Sequence, residues 1–310
     1  MTELTTTLLL ETKFHNVIIP FADIQTVDSL ADKCSLMLMA EELEIPIPKT
    51  WHAETPEQLP VNLVDLPYPL VLKPGKSWLR HNNEWSRNAV RFANDPASAQ
   101  EILQSDPAFH SYPFMLQQCV SGHGQGLFAL YNHGEPVAFF AHRRLREKPP
   151  AGGVSVLSES IAVDQDILTY ARKLLDKVAW HGVAMVEFKV DDNDGTPYLM
   201  EVNTRFWGSL QLAINAGVDF PWLLYQLACG LTPDPVNEYK IGIRSRWLLG
   251  DLDNLYLIVR DRHYSIKDKL IAIRQFMTPS PFKTRHEVNR WGDMRPFWHE
   301  LKQYIRDIFC

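Results

Sequence analysis

Between Val183 and Asn203 the sequence sets two alternating apolar and polar runs, VAMVEFKV and PYLMEVN, around the six residues DDNDGT. Asp-Gly between alternating runs is a strong local signal for an antiparallel hairpin. Such a hairpin constrains the chain around it, because a slip of one residue would turn every apolar side chain outward. The alternation puts Val186, Phe188 and Val190 with Tyr198, Met200 and Val202 on one apolar face, and Glu187 and Glu201 on the other. With the turn centred on residue 194, the two glutamates are expected to face each other, with Cβ atoms about 4.5–5.5 Å apart. Like charges that close destabilise a hairpin, and a divalent cation removes the repulsion. Asn203 adds a neutral oxygen on the same face. Two carboxylates and an amide suit Mg²⁺, a hard cation that keeps positions for water and phosphate oxygens. Arg205 follows with a planar fork of donors fitted to an anion. The pattern also allows a plain solvated hairpin with Lys189 paired to a glutamate, since many antiparallel sheets turn one face to water.

A chain of 310 residues can bury a sizeable core in one to three subdomains, and 45% hydrophobic with 22% charged residues is ordinary for a globular protein. The net charge of −6 gives no general pull toward nucleic acid or an anionic membrane. From Leu231 onward there are 14 basic against 10 acidic residues, which leaves the first 230 residues at −10. A solvated helical surface is the expected use of that basic tail. Cys34, Cys119, Cys229 and Cys310 have neither zinc-ligand nor disulfide-framework spacing, so reduced thiols are expected. The start, MTELTTTLLLETKF, lacks the basic flank of a signal peptide, and no apolar run approaches the ~20 residues of a membrane span. A cytoplasmic protein without membrane or nucleic-acid partners is expected.

The remaining punctuation predicts a strand at Asn16–Pro20, a helix over Thr26–Glu44 capped by Asp28 or Ser29, and a strand over Tyr68–Pro74 that carries Lys73. A helix begins at Asp95 with Pro96 in its first turn. FMLQQCV (114–120), GLFALYN and PVAFFAHRRL read as three strands. An amphipathic helix over Asp164–Trp180 ends at Gly182, and two short helices, Ser209–Ala216 and Pro221–Cys229, end at Gly217 and Gly230. Helix then predominates, with a Pro-rich break near Thr278–Pro281. Strands alternating with helices give an α+β class.

VEFKV…YLMEVNTR resembles the metal-binding hairpin of the ATP-grasp superfamily, as found in biotin carboxylases and carbamoyl-phosphate-synthetase-like ligases. The resemblance implies Glu187, Glu201 and Asn203 as ligands of two Mg²⁺ ions, with Mn²⁺ as a substitute, and Arg205 as the contact to substrate or acyl phosphate. Further segments follow in order. ADKCSLMLMAEELEIPIPKT is similar to the opening of such domains and implies Lys33 as a phosphate contact. YPLVLKP implies Lys73 for the α- and β-phosphates. FMLQQCVSG resembles the strand that holds adenine through its backbone, at Gln117, Gln118, Cys119 and Val120. AHRRLREKPPAGG implies Arg144, or the neighbouring Arg143, toward the γ-phosphate. The implied architecture is an ATP-grasp fold whose two α/β subdomains, 32–110 and 111–230, clamp the nucleotide, with a residual segment 1–31 before them and a helical extension 231–310 after. The implied activity is an ADP-forming carboxylate–amine ligase working through an acyl phosphate, with Arg205, Arg144 and Asn203 at the reacting groups and no protein nucleophile.

Three departures accompany the resemblance. Only 31 residues precede Asp32, which implies a truncated N-terminal segment and a homodimer or partner chain that supplies the missing domain. The phosphate loop GKSWLRHNNEWSRNAV has a single glycine, Gly75, so Lys76, Arg80 and Arg87 are expected to clamp phosphate by side chain. No acidic residue follows the adenine strand for the ribose, which leaves that role to His123 or Gln125. RSRWLLGDLDNL resembles the C-terminal extension of ATP-grasp proteins related to carbamoyl-phosphate synthetase. Its Arg244 and Arg246 either face a substrate carboxylate or pair with Asp251 or Asp253. Two rival readings stand beside the ligase: a catalytically reduced ATP-binding regulatory or scaffold module acting with a partner chain, and a nucleic-acid-associated protein using the basic tail.

Overall fold

Two aspartates set the start of the fold. The structure, a computed structural model, describes residues 18–81, 84–150, 152–236, 238–278 and 284–309. Helix α1 (Ile24–Ala31) begins at Asp23, whose carboxylate accepts from the N–H groups of Gln25 and Thr26. Helix α2 (Lys33–Glu42) begins again at Asp32, which accepts from Ser35 N–H at 2.9 Å. The single helix expected over Thr26–Glu44, capped by Asp28 or Ser29, is therefore two. Asp32 takes extended backbone (φ −75°, ψ 118°), because its carboxylate satisfies the N–H groups of a new helix better than it fits a helix interior. Of the strand expected at Asn16–Pro20, positions 16 and 17 lie outside the described residues, and 18–20 have no regular structure.

The next elements are β1 (Thr50–Ala53), β2 (Leu70–Pro74), β3 (Trp78–His81), β4 (Glu84–Arg87), β5 (Arg91–Ala93), α3 (Pro96–Ser105), α4 (Ala108–Ser111) and β6 (Phe114–Gln118). They form an antiparallel sheet in the order β1-β6-β2-β5, while β3 and β4 pair as a separate hairpin. The register sets Val71 against Gln117 and Lys73 against Met115. Leu70, Leu72, Phe114 and Leu116 then share one face and pack on Ala99, Leu103 and Phe109. Each of the larger side chains so buried contributes about 1.5–3 kcal/mol. Asp95 caps α3 in a capping box with Ser98, and Pro96 sits in its first turn as expected.

Strands β7 (Gly122–Asn132) and β8 (Glu135–Lys148) follow, then β9 (Val154–Ile161), which sequence periodicity did not indicate. Helix α5 (Gln165–Lys177) buries Ile167, Ala171, Leu174 and Leu175. It is followed by Ala179 in the left-handed region (φ 44°), so the chain turns before Gly182. Gly182 instead opens β10 (Gly182–Asp191), where a Cβ would lie 2.7 Å from the Pro20 carbonyl oxygen and φ is +98°. Strand β11 (Pro197–Asn203) returns antiparallel, with Val186 opposite Val202 and Glu187 opposite Glu201. A bulge then shifts the ladder so that Phe188 faces Leu199 rather than Met200. The buried residues of β11 are accordingly Leu199 and Val202, not the expected Tyr198, Met200 and Val202. Helices α6 (Leu210–Ala216) and α7 (Phe220–Ala228) end near Gly217 (φ 115°) and Gly230 (φ 73°) as expected.

The rest is β12 (Arg244–Arg246), α8 (Leu248–Arg260), α9 (Ile266–Met277), β13 (Thr284–His286) and α10 (Arg295–Phe309). The segment is mostly helical, with two short strands added, and the Pro-rich break at 279–281 lies outside the described residues. Two compact units result. The first comprises residues 1–124, 131–135 and 165–205, and the second 125–130, 136–164 and 206–310. In the second unit β9 lies between β8 and β12, and β12 runs parallel to β13. Arg146 from β8 and Arg246 from β12 both reach Asp251 of α8 at 2.6 Å, and Asp251 is almost wholly buried. Among the described residues no helix is long and apolar enough to cross a membrane.

Candidate functional site

In the first unit the opposed pair Glu187 and Glu201 is joined by the Asn203 amide, whose Nδ2 donates to Glu187 Oε1 at 3.0 Å and to Glu201 Oε1 at 3.2 Å. Lys33 Nζ lies 3.7 Å from Glu201 Oε2 and donates to Ser77 Oγ at 2.7 Å, with its side chain only 9% exposed. Lys73, at the end of β2, belongs to the same electrostatic neighbourhood. Burial pushes its ammonium down to about 8, against the upward pull of Glu201 and Glu187, and Lys33 and Lys189 push it further down. Four chain segments therefore converge on one group of charges.

Local backbone contacts explain the convergence. Lys33 N–H donates to Gly75 O, and Gly75 N–H donates to Pro113 O, each at 2.8 Å. A Cβ at position 75 would stand 2.9 Å from Pro113 O and 3.3 Å from Asp32 Oδ2, so only glycine lets the end of β2 lie against the start of α2. Leu199 N–H donates to Pro46 O at 2.9 Å and fixes β11 to the segment after α2.

The donor set fits a hard cation. Among the described residues no three His, Cys, Asp or Glu side chains gather as metal ligands; two carboxylates and one amide do. The Asn203 NH₂ group stands between the carboxylates and meets the charge that a cation would otherwise neutralise. Half a turn of the amide presents its oxygen instead, which completes an all-oxygen set of the kind Mg²⁺ takes.

The other expected site residues are placed as follows. Gln117 is buried and donates from Nε2 to Thr50 Oγ1 at 2.9 Å, so its side chain serves the sheet. Gln118 N–H donates to Lys49 O at 2.9 Å and Cys119 N–H to Pro69 O at 3.1 Å. Val120 is buried. His123 Nδ1 lies 3.4 Å from Asp192 Oδ1. Arg205 is exposed and lies in a bend two residues beyond the end of β11. Lys76 Nζ pairs with Asp28 at 3.4 Å, while the expected contacts of Arg80 and Arg87 fall on side chains outside those described.

Arg144 and Arg143 belong to the second unit. Arg144 Nη1 donates to Gly153 O at 3.1 Å and lies 3.8 Å from Glu147. Arg143 instead forms a two-bond contact with Glu159 Oε2 at 3.0 and 2.7 Å. Arg244 reaches the other oxygen of Glu159 at 2.8 Å, while Arg246 takes Asp251. One of the two ion pairs expected for these arginines is thus present. Arg244 finds its partner on the neighbouring strand because Glu159 stands opposite it in the register.

Residues 112–250 match the model of a family described as ATP-grasp in the biosynthetic pathway with Ter operon. Among solved structures, the β,γ-ATP complex of biotin carboxylase from Campylobacter jejuni is similar over 77% of this chain and 55% of that one, with TM-score 0.60 and 15% identity. The chain has an ATP-grasp fold. The L-amino acid ligase from Bacillus licheniformis is similar over 68% of this ATP-grasp chain and 50% of its own, with TM-score 0.53 and 20% identity. D-alanine–D-alanine ligase from Bacillus anthracis, solved with ATP, is similar over 73% of both chains, with TM-score 0.52 and 15% identity. The chain spans about half the length of the first two. No curated protein matches the sequence significantly. Within this ATP-grasp chain, Ser77 and Gly75 are the site residues that sequence reasoning did not single out. Ser77 carries no periodic signal, whereas Gly75, the one glycine of its loop, was a legible mark of close approach.

Proposed function

We propose that the protein is an ATP- and Mg²⁺-dependent ligase that joins a carboxylate to an amine through an acyl phosphate, releasing ADP and phosphate. The observation that carries this reading is the Glu187–Asn203–Glu201 cluster, with the ammonium group of Lys33 beside it and Lys73 in its field. The names of the similar structures, an L-amino acid ligase and a D-alanine–D-alanine ligase, support the reaction class.

In this reading Lys33 and Lys73 bind phosphate oxygens. Lys73 is still mostly protonated at neutral pH, and an arriving phosphate favours its charged form. Gln118, Cys119 and Val120 hold adenine at the end of β6, with Gln117 holding that strand in the sheet and His123 nearby for the ribose. Arg144 contacts the γ-phosphate and Arg205 the substrate carboxylate. Two Mg²⁺ ions, or Mn²⁺ in their place, would be held by Glu187, Glu201 and Asn203 and would screen phosphate charge. A carboxylate oxygen attacks the γ-phosphorus as the bond to the β,γ-bridging oxygen breaks and ADP leaves. The amine then attacks the acyl carbon, phosphate departs, and the ammonium proton passes to water. The protein supplies position and charge rather than a nucleophile.

The test is phosphate release from ATP across pairs of amino acids and small carboxylates. Release that requires both a carboxylate and an amine is the expected result. Tight ATP binding with no turnover for any pair would replace the ligase by a nucleotide-binding module.

A further inference from the structure

Helix α9 (Ile266–Met277) buries none of its residues, yet five of its six large apolar side chains are exposed. Four of them, Ile266, Leu270, Ile273 and Met277, recur at spacings of four, three and four and are 80%, 62%, 42% and 70% exposed. At ~3.6 residues per turn they fall within an arc of about 60°. A twelve-residue helix is marginal in water without tertiary packing of an apolar face. It packs on α8 and is held through Phe276, which flanks the stripe about 60° from Ile273. Phe276 lies under the Arg246 guanidinium, 4.3 Å from the ring centroid, and its carbonyl accepts from Arg246 Nη2 at 3.0 Å.

The spacing is that of the a and d positions of a heptad: Ile266 and Ile273 at d, Leu270 and Met277 at a. The flanking e and g positions hold Lys267, Lys269, Arg274 and Phe276, the last of them taken up by Arg246. The only acid of the helix, Asp268, points away and closes the capping box with Ser265. A stripe this narrow is the seam of a helix pair. A helix lying in a membrane interface presents a broad apolar face instead. Pairing with a second copy would bring lysines and arginines together across the seam, in either direction, and like charges at these positions disfavour association.

We propose that α9 is the docking seam for an amphipathic helix of a partner protein whose a and d positions are apolar and whose flanks are acidic. The proposal does not depend on the ligase reading. Its test uses the full chain and two synthetic helical peptides of three heptads, with identical Leu/Ile seams and either glutamate or lysine flanks. The expected result is binding of the glutamate peptide, weakening with salt, and weaker by ~tenfold or more for the lysine peptide. Leu270→Glu should abolish it, whereas Ile271→Glu, off the stripe, should leave it unchanged. Because α9 buries nothing, both variants should keep the circular dichroism of the parent. Failure of the glutamate peptide to bind, equal binding of both peptides, or indifference to Leu270→Glu would overturn the proposal. So would a dimer, or retention on phosphatidylserine vesicles, that Leu270→Glu abolishes.

Discussion

Asn203 satisfies two opposed carboxylates with one amide group, and Lys33 approaches one of them from the side. If these groups hold Mg²⁺, millimolar Mg²⁺ should raise the melting temperature of the parent protein by mass action. Glu201→Gln should lose both that shift and the nucleotide turnover, by about a hundredfold or more, with an unchanged fold by circular dichroism. A Mg²⁺-dependent shift that persists in Glu201→Gln would remove the metal assignment. Lys73→Ala should weaken ATP binding by roughly tenfold to a hundredfold, the scale of one charge-assisted hydrogen bond, measured by calorimetry. The facing of Glu187 and Glu201 was legible because strand periodicity of two and a short turn fix which residues oppose. The bulge beside them was not. It depends on Leu199 finding an apolar neighbourhood, a tertiary preference that local alternation does not contain. The ladder of β11 ends at Asn203, although burial still alternates through Thr204, buried, and Arg205, exposed.

At the scale of elements, the site depends on where helices and strands stop. Asp32 ends α1 and caps α2, and the next residue is Lys33. Asp32→Ala should therefore cost about 1 kcal/mol in urea unfolding, the usual value of an N-cap. Nucleotide affinity should fall with it, since the start of α2 sets the position of Lys33; unchanged affinity would uncouple the cap from the site. The helices with strong apolar periodicity, over Pro96–Ser105 and Gln165–Lys177, were readable within a few residues. Strand β9 was not read as a strand, and Arg244–Arg246 was left open between a strand and a helix entry. VSVLSESI and RSR are rich in serine and arginine, and they become strands because Glu159 and Arg244 pair across their ladder, a non-local interaction.

At the scale of the whole molecule, the chain after Gly230 was legible as mostly helical and basic, with a strand left open at Arg244–Arg246, whereas the three residues of β13 were too few to read. It also contributes a pH dependence. Burial raises the Glu287 carboxyl from its ordinary 4.5 to about 7, and the Glu300 carboxylate adds to the rise. The folded state then binds more protons at this group than the unfolded chain between those values, so the contribution of Glu287 to stability is fullest below about 4.5 and is lost as pH rises through 7. Glu287→Gln should flatten that fall and melt at a higher temperature than the parent at pH 8; parallel melting curves across pH would contradict it. The paired guanidiniums on Asp251 have a further consequence. Losing one member of such an enclosed set costs about 3–5 kcal/mol, because the remaining charge keeps its low-dielectric surroundings. The final quarter of the sequence is thus no detachable appendage: cut at Gly230, strand β8 would keep its cation and lose the anion that lets it stay indoors.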